Sequence, residues 1–443
     1  MLVCSETNDF SITEIVMTNI GKLVTFAMSC FLIIFGFPGQ SVGISALTES
    51  ILDTTGMSRN LFSTIYMISM FIAGILSLIG GVLIGKIGIK KSVMVTLLLW
   101  TTVLALLGWS ASIYDSILVG ILSKKTYFIV VFSLALPLLR FFAKSVMIML
   151  GRIQIMEIFH KNYGMAFAIV GVAMSIIAGL APRIMHNLSR GGLWCDAYSS
   201  LATFSVFSCF IFLFLFPNTS SRKFTDGKLN SVEDKNLGSS NINDRFHILK
   251  LLKQRIFWCL TLPIIIQTAI LGGIAIHVVD IFDEKGLNPS TARGSYLYMG
   301  CCVIAANFVF GKIFSKRTLK SCILAMSFFQ LCGLIGLNMV STRIGFVAYI
   351  LCIGSAWGAY NITISAAFSE VFGHKNISNI LGVVYSMLMV IEAGSIPLMS
   401  ISRTFMGSYF IFIKFIILII ISSIIFVSLN FPKFIKNEAE CLS

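Results

Sequence analysis

Twelve apolar runs of about twenty residues dominate this chain, and they leave it few folds to choose from. At 1.5 Å per residue, a helix of that length just crosses the roughly 30 Å hydrocarbon core of a bilayer. Hydrocarbon offers no partner to a free N–H or C=O, so each run is expected to close its own hydrogen bonds as a transmembrane helix. The first six runs are Leu23–Ala46, Leu61–Ile84, Ser92–Trp109, Tyr127–Leu150, Gly164–Pro182 and Leu201–Phe216. The second six are Ile256–Val279, Tyr296–Gly311, Cys322–Val340, Phe346–Phe368, Ile380–Met399 and Tyr409–Leu429. Only 12% of the residues are charged against 57% hydrophobic, about half the charged share of a water-soluble domain. A soluble globule is excluded.

The charge of +14 points first to nucleic acid, but its distribution argues otherwise. Lys and Arg gather in alternate connections: Lys86, Lys90 and Lys91; Arg152 and Lys161; a dense set from Arg222 to Arg255; then Lys312, Lys316, Arg317 and Lys320. The intervening connections carry one or two each. This positive-inside pattern places both termini and the 217–255 loop in the cytoplasm. The start MLVCSETNDF lacks the basic lead and short apolar core of a cleavable signal, so the first run is expected to stay in the protein. Of eleven cysteines, most (among them Cys30, Cys209, Cys259, Cys301, Cys302, Cys332 and Cys352) sit inside apolar runs and read as small apolar side chains. Cys195 is expected in an outside loop, without a partner.

The two halves of the chain echo one another at a constant offset. Gly43 and Ile44 meet Gly273 and Ile274, and Ile51 and Asp53 meet Ile281 and Asp283. Gly56 meets Gly286, Tyr66 meets Tyr296, Gly81 meets Gly311, and Lys86 and Lys90 meet Lys316 and Lys320. A membrane protein built from two similar halves signals a transporter with its site between them. The expected division is 1–216, a six-helix bundle; 217–255, a cytoplasmic linker; and 256–443, a second six-helix bundle. Arg245 to Arg255 reads either as a basic amphipathic helix on the inner leaflet or as a plain lead-in to span seven. The connection 111–125 is unusually long and carries no motif.

Local motifs add a family resemblance. Gly81-Val-Leu-Ile-Gly85-Lys86-Ile-Gly88-Ile-Lys90-Lys91 resembles the signature between spans two and three of the major facilitator superfamily. Gly85 stands where that signature has an aspartate and Ile89 where it has a basic residue, so the acidic partner for neighbouring helices is missing. The resemblance implies twelve helices in two pseudo-symmetric six-helix bundles, each a pair of inverted three-helix repeats, with Gly81, Lys86, Gly88, Lys90 and Lys91 as a gating loop. A narrower likeness is to the branch of monocarboxylate porters and oxalate–formate antiporters. Four segments carry it: Phe37-Pro-Gly-Gln40-Ser-Val-Gly43 through Gly56-Met-Ser58-Arg59; Leu139-Arg140 to Ser145 with Ile158 to Ala166; His277 through Gly286 to Ala292; and Phe372 to Gly382. Span eight departs from the mammalian lactate porters, which place an Asp–Arg pair there; Tyr296–Gly311 holds no charge.

Charges inside spans are costly and face a cavity or a partner. Arg140 lies about 20 Å of helix from Tyr127, near the middle of span four, and Lys144 sits one turn further on the same face. Two stacked cations without an acid in their own helix make a seat for an anion, and a guanidinium grips a carboxylate through two parallel hydrogen bonds. The plainer alternative pairs Arg140 with backbone carbonyls and lets Lys144 snorkel to the surface. Glu392 is the one carboxylate well inside a span, where it serves either as a proton or counter-ion partner of Arg140 or as a packing contact. His277, near the outer end of span seven beside Asp280, is either a titrating transport residue or an interface histidine. Gln40 and Ser41 follow Pro38-Gly39, which loosen span one. Gln267, Asn307, Gln330 and Asn361 are mid-span polar groups that either bridge helices or touch substrate. Tyr66, Tyr296, Trp357 and Tyr360 line a pathway or simply pack.

No HExxH, no metal-spaced Cys/His pairs, no GxxxxGK[ST] and no GxSxG occurs, so an enzyme, a cofactor and an ATP-driven pump are not expected. The expected function is secondary active transport of a small, monocarboxylate-like organic anion by alternating access, driven by protons or by exchange. Its expected partners are that solute, protons and the lipid bilayer, in a monomer of the plasma membrane or a bacterial inner membrane. The substrate residues expected are Arg140, Lys144, Gln40, Tyr66, His277 and Asn361, with Glu392 for proton coupling. Two rivals stand beside this: a carrier of the same fold for a neutral amino acid, sugar or drug, and a non-transporting membrane sensor.

Overall fold

The computed structural model describes residues 12–119, 121, 123–159, 163–189, 193–215, 248–314, 318–373 and 376–432. Lys161, Lys316, Arg317, most of the 217–255 linker and both ends of the chain lie outside the described residues. Among the described residues, twelve helices are long and apolar enough to cross a membrane. Spans one to six are Gly21–Thr55, Arg59–Ile87, Ile89–Ile117, Lys124–Ile158, Gly164–Leu188 and Trp194–Leu215. Spans seven to twelve are Arg255–Ile274, Pro289–Phe314, Leu319–Asn338, Arg343–Phe372, Ile377–Met406 and Tyr409–Asn430; the helix of span seven continues to Asp283.

Three sequence expectations are corrected. Most of 111–125 is no free connection: the helix Ile89–Ile113 runs on through a wide π-type turn, Tyr114–Leu118. Span six starts at Trp194, so Cys195 is buried in its first turn rather than placed in a loop. Span four continues to Ile158, which takes Arg152 out of the connection and buries it.

The sequence echo is visible in the backbone. Spans one and seven end where Gly56 and Gly286 take φ of 68° and 72°, a left-handed conformation that glycine adopts without strain. The following spans start at Arg59 and Pro289, at the same offset as the sequence matches. In the first six-helix bundle, span three packs on six, two on four, and one on four and five. In the second, nine and eight pack on ten, seven on eleven and twelve, and nine on twelve. Outward faces are apolar at helical spacing, as with Ile68, Ile72, Ile75, Ile79 and Leu83 on span two, the pattern of a surface solvated by lipid.

The bundles meet along two seams, span two against eleven and span five against eight. Glycines set how closely they approach. A methyl on Gly81 would stand 2.5 Å from Ser378 O and 2.9 Å from Gly382 Cα, and one on Gly164 2.8 Å from Gly311 O. Every such contact between halves at a glycine, from Gly74 through Gly85 and Gly164 through Gly171, falls between the midplane and the end carrying Lys86, Lys90 and Lys91. In the opposite halves of spans five, eight and eleven, a methyl on Gly179, Gly294 or Gly394 would meet nothing within 4 Å. Close approach of the bundles at glycines is thus confined to the basic-loop end.

Candidate functional site

Two breaks in helix geometry build the centre of the molecule. Span one is interrupted at Phe37–Gly39 between the helices Ile12–Phe35 and Ser41–Thr55, because Pro38 lacks an N–H and cannot continue the ladder. Span four is interrupted by a wide turn, Phe142–Val146, between Lys124–Phe141 and Met147–Ile158. The two breaks lie against each other: a methyl on Gly39 would come 2.6 Å from Ala143 Cβ and 2.7 Å from Leu139 O. This close crossing brings Arg140 onto the loosened part of span one.

Arg140 is 1% exposed, and its Nη1 donates to Gly39 O at 3.1 Å and to Ser41 Oγ at 3.3 Å. Its Nη2 stands 3.7 Å from Glu392 Oε1 on span eleven, and the other carboxylate oxygen pairs with Lys144 Nζ. Ser41 links the pieces, accepting from Tyr66 Oη at 3.0 Å and donating to Glu392 Oε1 at 3.5 Å. The Tyr66 ring lies 5.0 Å from the guanidinium carbon, within the range of a cation–π contact. Span seven leaves room for the acid: a methyl on Gly272 would press to 2.8 Å of Glu392 Cγ.

Two cations therefore share one carboxylate, leaving one positive charge over. The guanidinium is also incompletely paired, since Nε and Nη2 have no hydrogen-bond partner, although buried donors normally find one. Arg140 and Glu392 are almost closed off (side chains 1% and 9% exposed), whereas Lys144 is 27% exposed and borders open space. Such an arrangement can accept an oxyanion at the Nε and Nη2 edge of the guanidinium, in competition with Glu392, with Lys144 as a second contact.

Of the expected substrate residues, Arg140, Lys144 and Tyr66 converge here with Glu392. Gln40 stands just before the helix that follows the break in span one, partly exposed and without a capping hydrogen bond from its side chain. His277 and Asn361 are placed elsewhere. His277 Nε2 lies 3.3 Å from Ile396 O and 3.2 Å from Ser400 Oγ, and its ring packs at a tilt against Tyr409 with centroids 5.3 Å apart, which ties spans seven, eleven and twelve together. Asn361 donates to Asn307 Oδ1 at 3.5 Å, between spans ten and eight. Gly81 belongs to the seam, and Gly88 makes the whole turn between spans two and three at φ 85°. Lys86 and Lys91 are exposed there.

Sequence reasoning missed Arg152 and its partner Tyr385, whose Oη accepts from Arg152 Nη1 at 2.5 Å. The signal was the apolar flank Ile153, Ile155, Met156 and Ile158, which continues span four past Leu150.

No curated protein sequence matches the chain. Solved structures match its fold at low identity. FucP, a transporter solved in its outward conformation, aligns with a TM-score of 0.66 at 13% identity, over 93% of this chain and 100% of that one. A variant of the E. coli fucose:proton symporter FucP gives 0.64 at 14%, over 93% and 100%. The proton:xylose symporter XylE, bound to 6-bromo-6-deoxy-D-glucose, gives 0.68 at 13%, over 94% and 97%. The Major Facilitator Superfamily model matches residues 26–397, and with twelve spans in two bundles this integral, multi-pass membrane protein belongs to that superfamily of transporters.

Proposed function

We propose that the chain is a secondary active carrier of a small organic anion of the monocarboxylate type, working by alternating access around Arg140, Lys144 and Glu392. One observation carries this reading: a buried guanidinium with two unpaired donors shares a single carboxylate with a lysine, between the two bundles. A solute carboxylate at Arg140 would supply the missing charge and hydrogen bonds, and would compete with Glu392 for both cations. Glu392, released from them, becomes the group that takes a proton in symport, or waits for the next anion in exchange.

With the basic loops, both termini and the 217–255 linker in the cytoplasm, the end away from the close glycine contacts faces outward, and the bundles comprise 1–216 and 256–443. The gate is the Gly81 seam with the Lys86 to Lys91 turn. The protein acts as a monomer in a plasma membrane or a bacterial inner membrane. A neutral, hydroxyl-bearing solute is the second reading, favoured by the hydroxyls of Ser41 and Tyr66 beside Gln40. The resemblance to the monocarboxylate and oxalate–formate branch supports the first.

The test is uptake by proteoliposomes of labelled lactate, pyruvate, formate, oxalate, a neutral amino acid and a sugar, with and without an inward proton gradient. Carboxylate uptake that disappears in Arg140→Gln supports the anion reading, and its response to the gradient separates symport from exchange. Sugar or amino-acid uptake that survives Arg140→Gln overturns it.

A further inference from the structure

Arg152 is a buried cation that the central cluster does not use. It is 3% exposed, and among the described residues no carboxylate lies within ion-pair distance. Its one hydrogen bond goes to a neutral phenol, Tyr385, whose ring lies 5.8 Å from the guanidinium carbon, and its Nε has no partner. A buried charge held only by a neutral group is expensive and selects for a counter-ion.

Its position ties it to the central cluster. Arg152 follows Lys144 by eight residues, about 12 Å towards the basic-loop end. In an unbroken α-helix the twelve residues from Arg140 to Arg152 would leave them about 120° apart around the axis. The wide turn Phe142–Val146 absorbs one extra residue and cuts that to roughly 20°. Arg140 and Arg152 thus share a face of span four, one behind the other.

Tyr385 belongs to the other bundle, beside the seam where Gly74 meets Ser386 O. Separation of the bundles at the basic-loop end must therefore pull Tyr385 off Arg152 and leave the guanidinium facing the opening. We propose that Arg152 is a second anion station between the central cluster and the basic-loop face. Tyr385 covers it while the bundles are closed there, and the solute's carboxylate occupies it once they part. This rests on the anion reading of Arg140.

The test compares wild type, Arg152→Gln, Arg152→Lys, Tyr385→Phe and Arg140→Gln in proteoliposomes of sorted orientation, with KM for the transported carboxylate measured from each face. Arg152→Gln is expected to raise KM at the basic-loop face at least tenfold and to leave KM at the opposite face within twofold. Arg152→Lys is expected to keep most of the sided affinity. Tyr385→Phe, which frees the guanidinium and serves if Arg152→Gln folds poorly, lowers KM at the basic-loop face. Equal changes at both faces, or none, overturn the second station while leaving Arg140 as the anion seat. Absence of carboxylate uptake by wild type overturns both readings together.

Discussion

Lys144 and Glu392 are 248 residues apart in the chain and form an ion pair that joins span four of one bundle to span eleven of the other. Arg140 approaches the same carboxylate from one helical turn earlier. A solute bound at this cluster, as proposed, would link its recognition to the relation between bundles, because a ligand that draws either cation away also loosens a contact between them.

Removing one partner should show this. Glu392→Gln leaves two cations without an acid, and breaking a buried pair costs about 3–5 kcal/mol. The expected outcome is a lower unfolding temperature in detergent together with loss of uptake. Lys144→Gln combined with Glu392→Gln is expected to recover most of the stability and none of the transport. The charge-swapped pair, Lys144→Glu with Glu392→Lys, should outperform either single change; equal performance would sink the idea of a direct pair.

Tyr66 separates a ring effect from a hydroxyl effect. Tyr66→Phe keeps the face presented to Arg140 and loses only the bond to Ser41, so KM is expected to move less than about threefold. Tyr66→Leu removes a cation–π contact of about 1–2 kcal/mol, and a rise of roughly five- to thirtyfold is expected. Equal effects of the two would show that the ring does not matter.

The seam offers a covalent test. A side chain at Gly85 would point its Cβ 2.8 Å from Ser378 Oγ, close enough for a disulfide. In a variant otherwise free of cysteine, Gly85→Cys with Ser378→Cys is expected to cross-link under mild oxidation and to stop uptake, with recovery on reduction. Continued uptake by the cross-linked protein would mean that this seam does not open in the transport cycle.

His277 is expected to matter for stability more than for affinity. His277→Ala removes contacts to Ile396 and Ser400 and the ring contact with Tyr409, so the unfolding temperature should fall by a few degrees while KM stays within about twofold. A tenfold rise in KM with unchanged stability would return His277 to the substrate path.

The fold was legible because run length and the repeated turn glycines are local signals, and both survive in the backbone. Arg140, Lys144 and Glu392 were legible for a related reason, since a charge within an apolar run stands out whatever it touches. Their convergence was not, because it depends on the breaks at Phe37–Gly39 and Phe142–Val146, and only Pro38 announces the first. Nothing local marks the second, so the phase of Arg152 and its meeting with Tyr385 could not be read from spacing. His277 and Asn361 show the opposite case: a polar residue in a span draws attention, yet its partner decides what it does, and those partners come from distant segments.

The close approach at Gly81 and Gly382 has one more consequence. With Gly85 where the family signature carries an aspartate, the contact at this point is main chain against main chain. Contacts of that kind are indifferent to ionic strength and to the charge of lipid headgroups, but they register the volume of a single carbon atom. Salt and membrane composition should therefore leave this one contact nearly untouched, while each added methyl along the glycine line weakens it in steps.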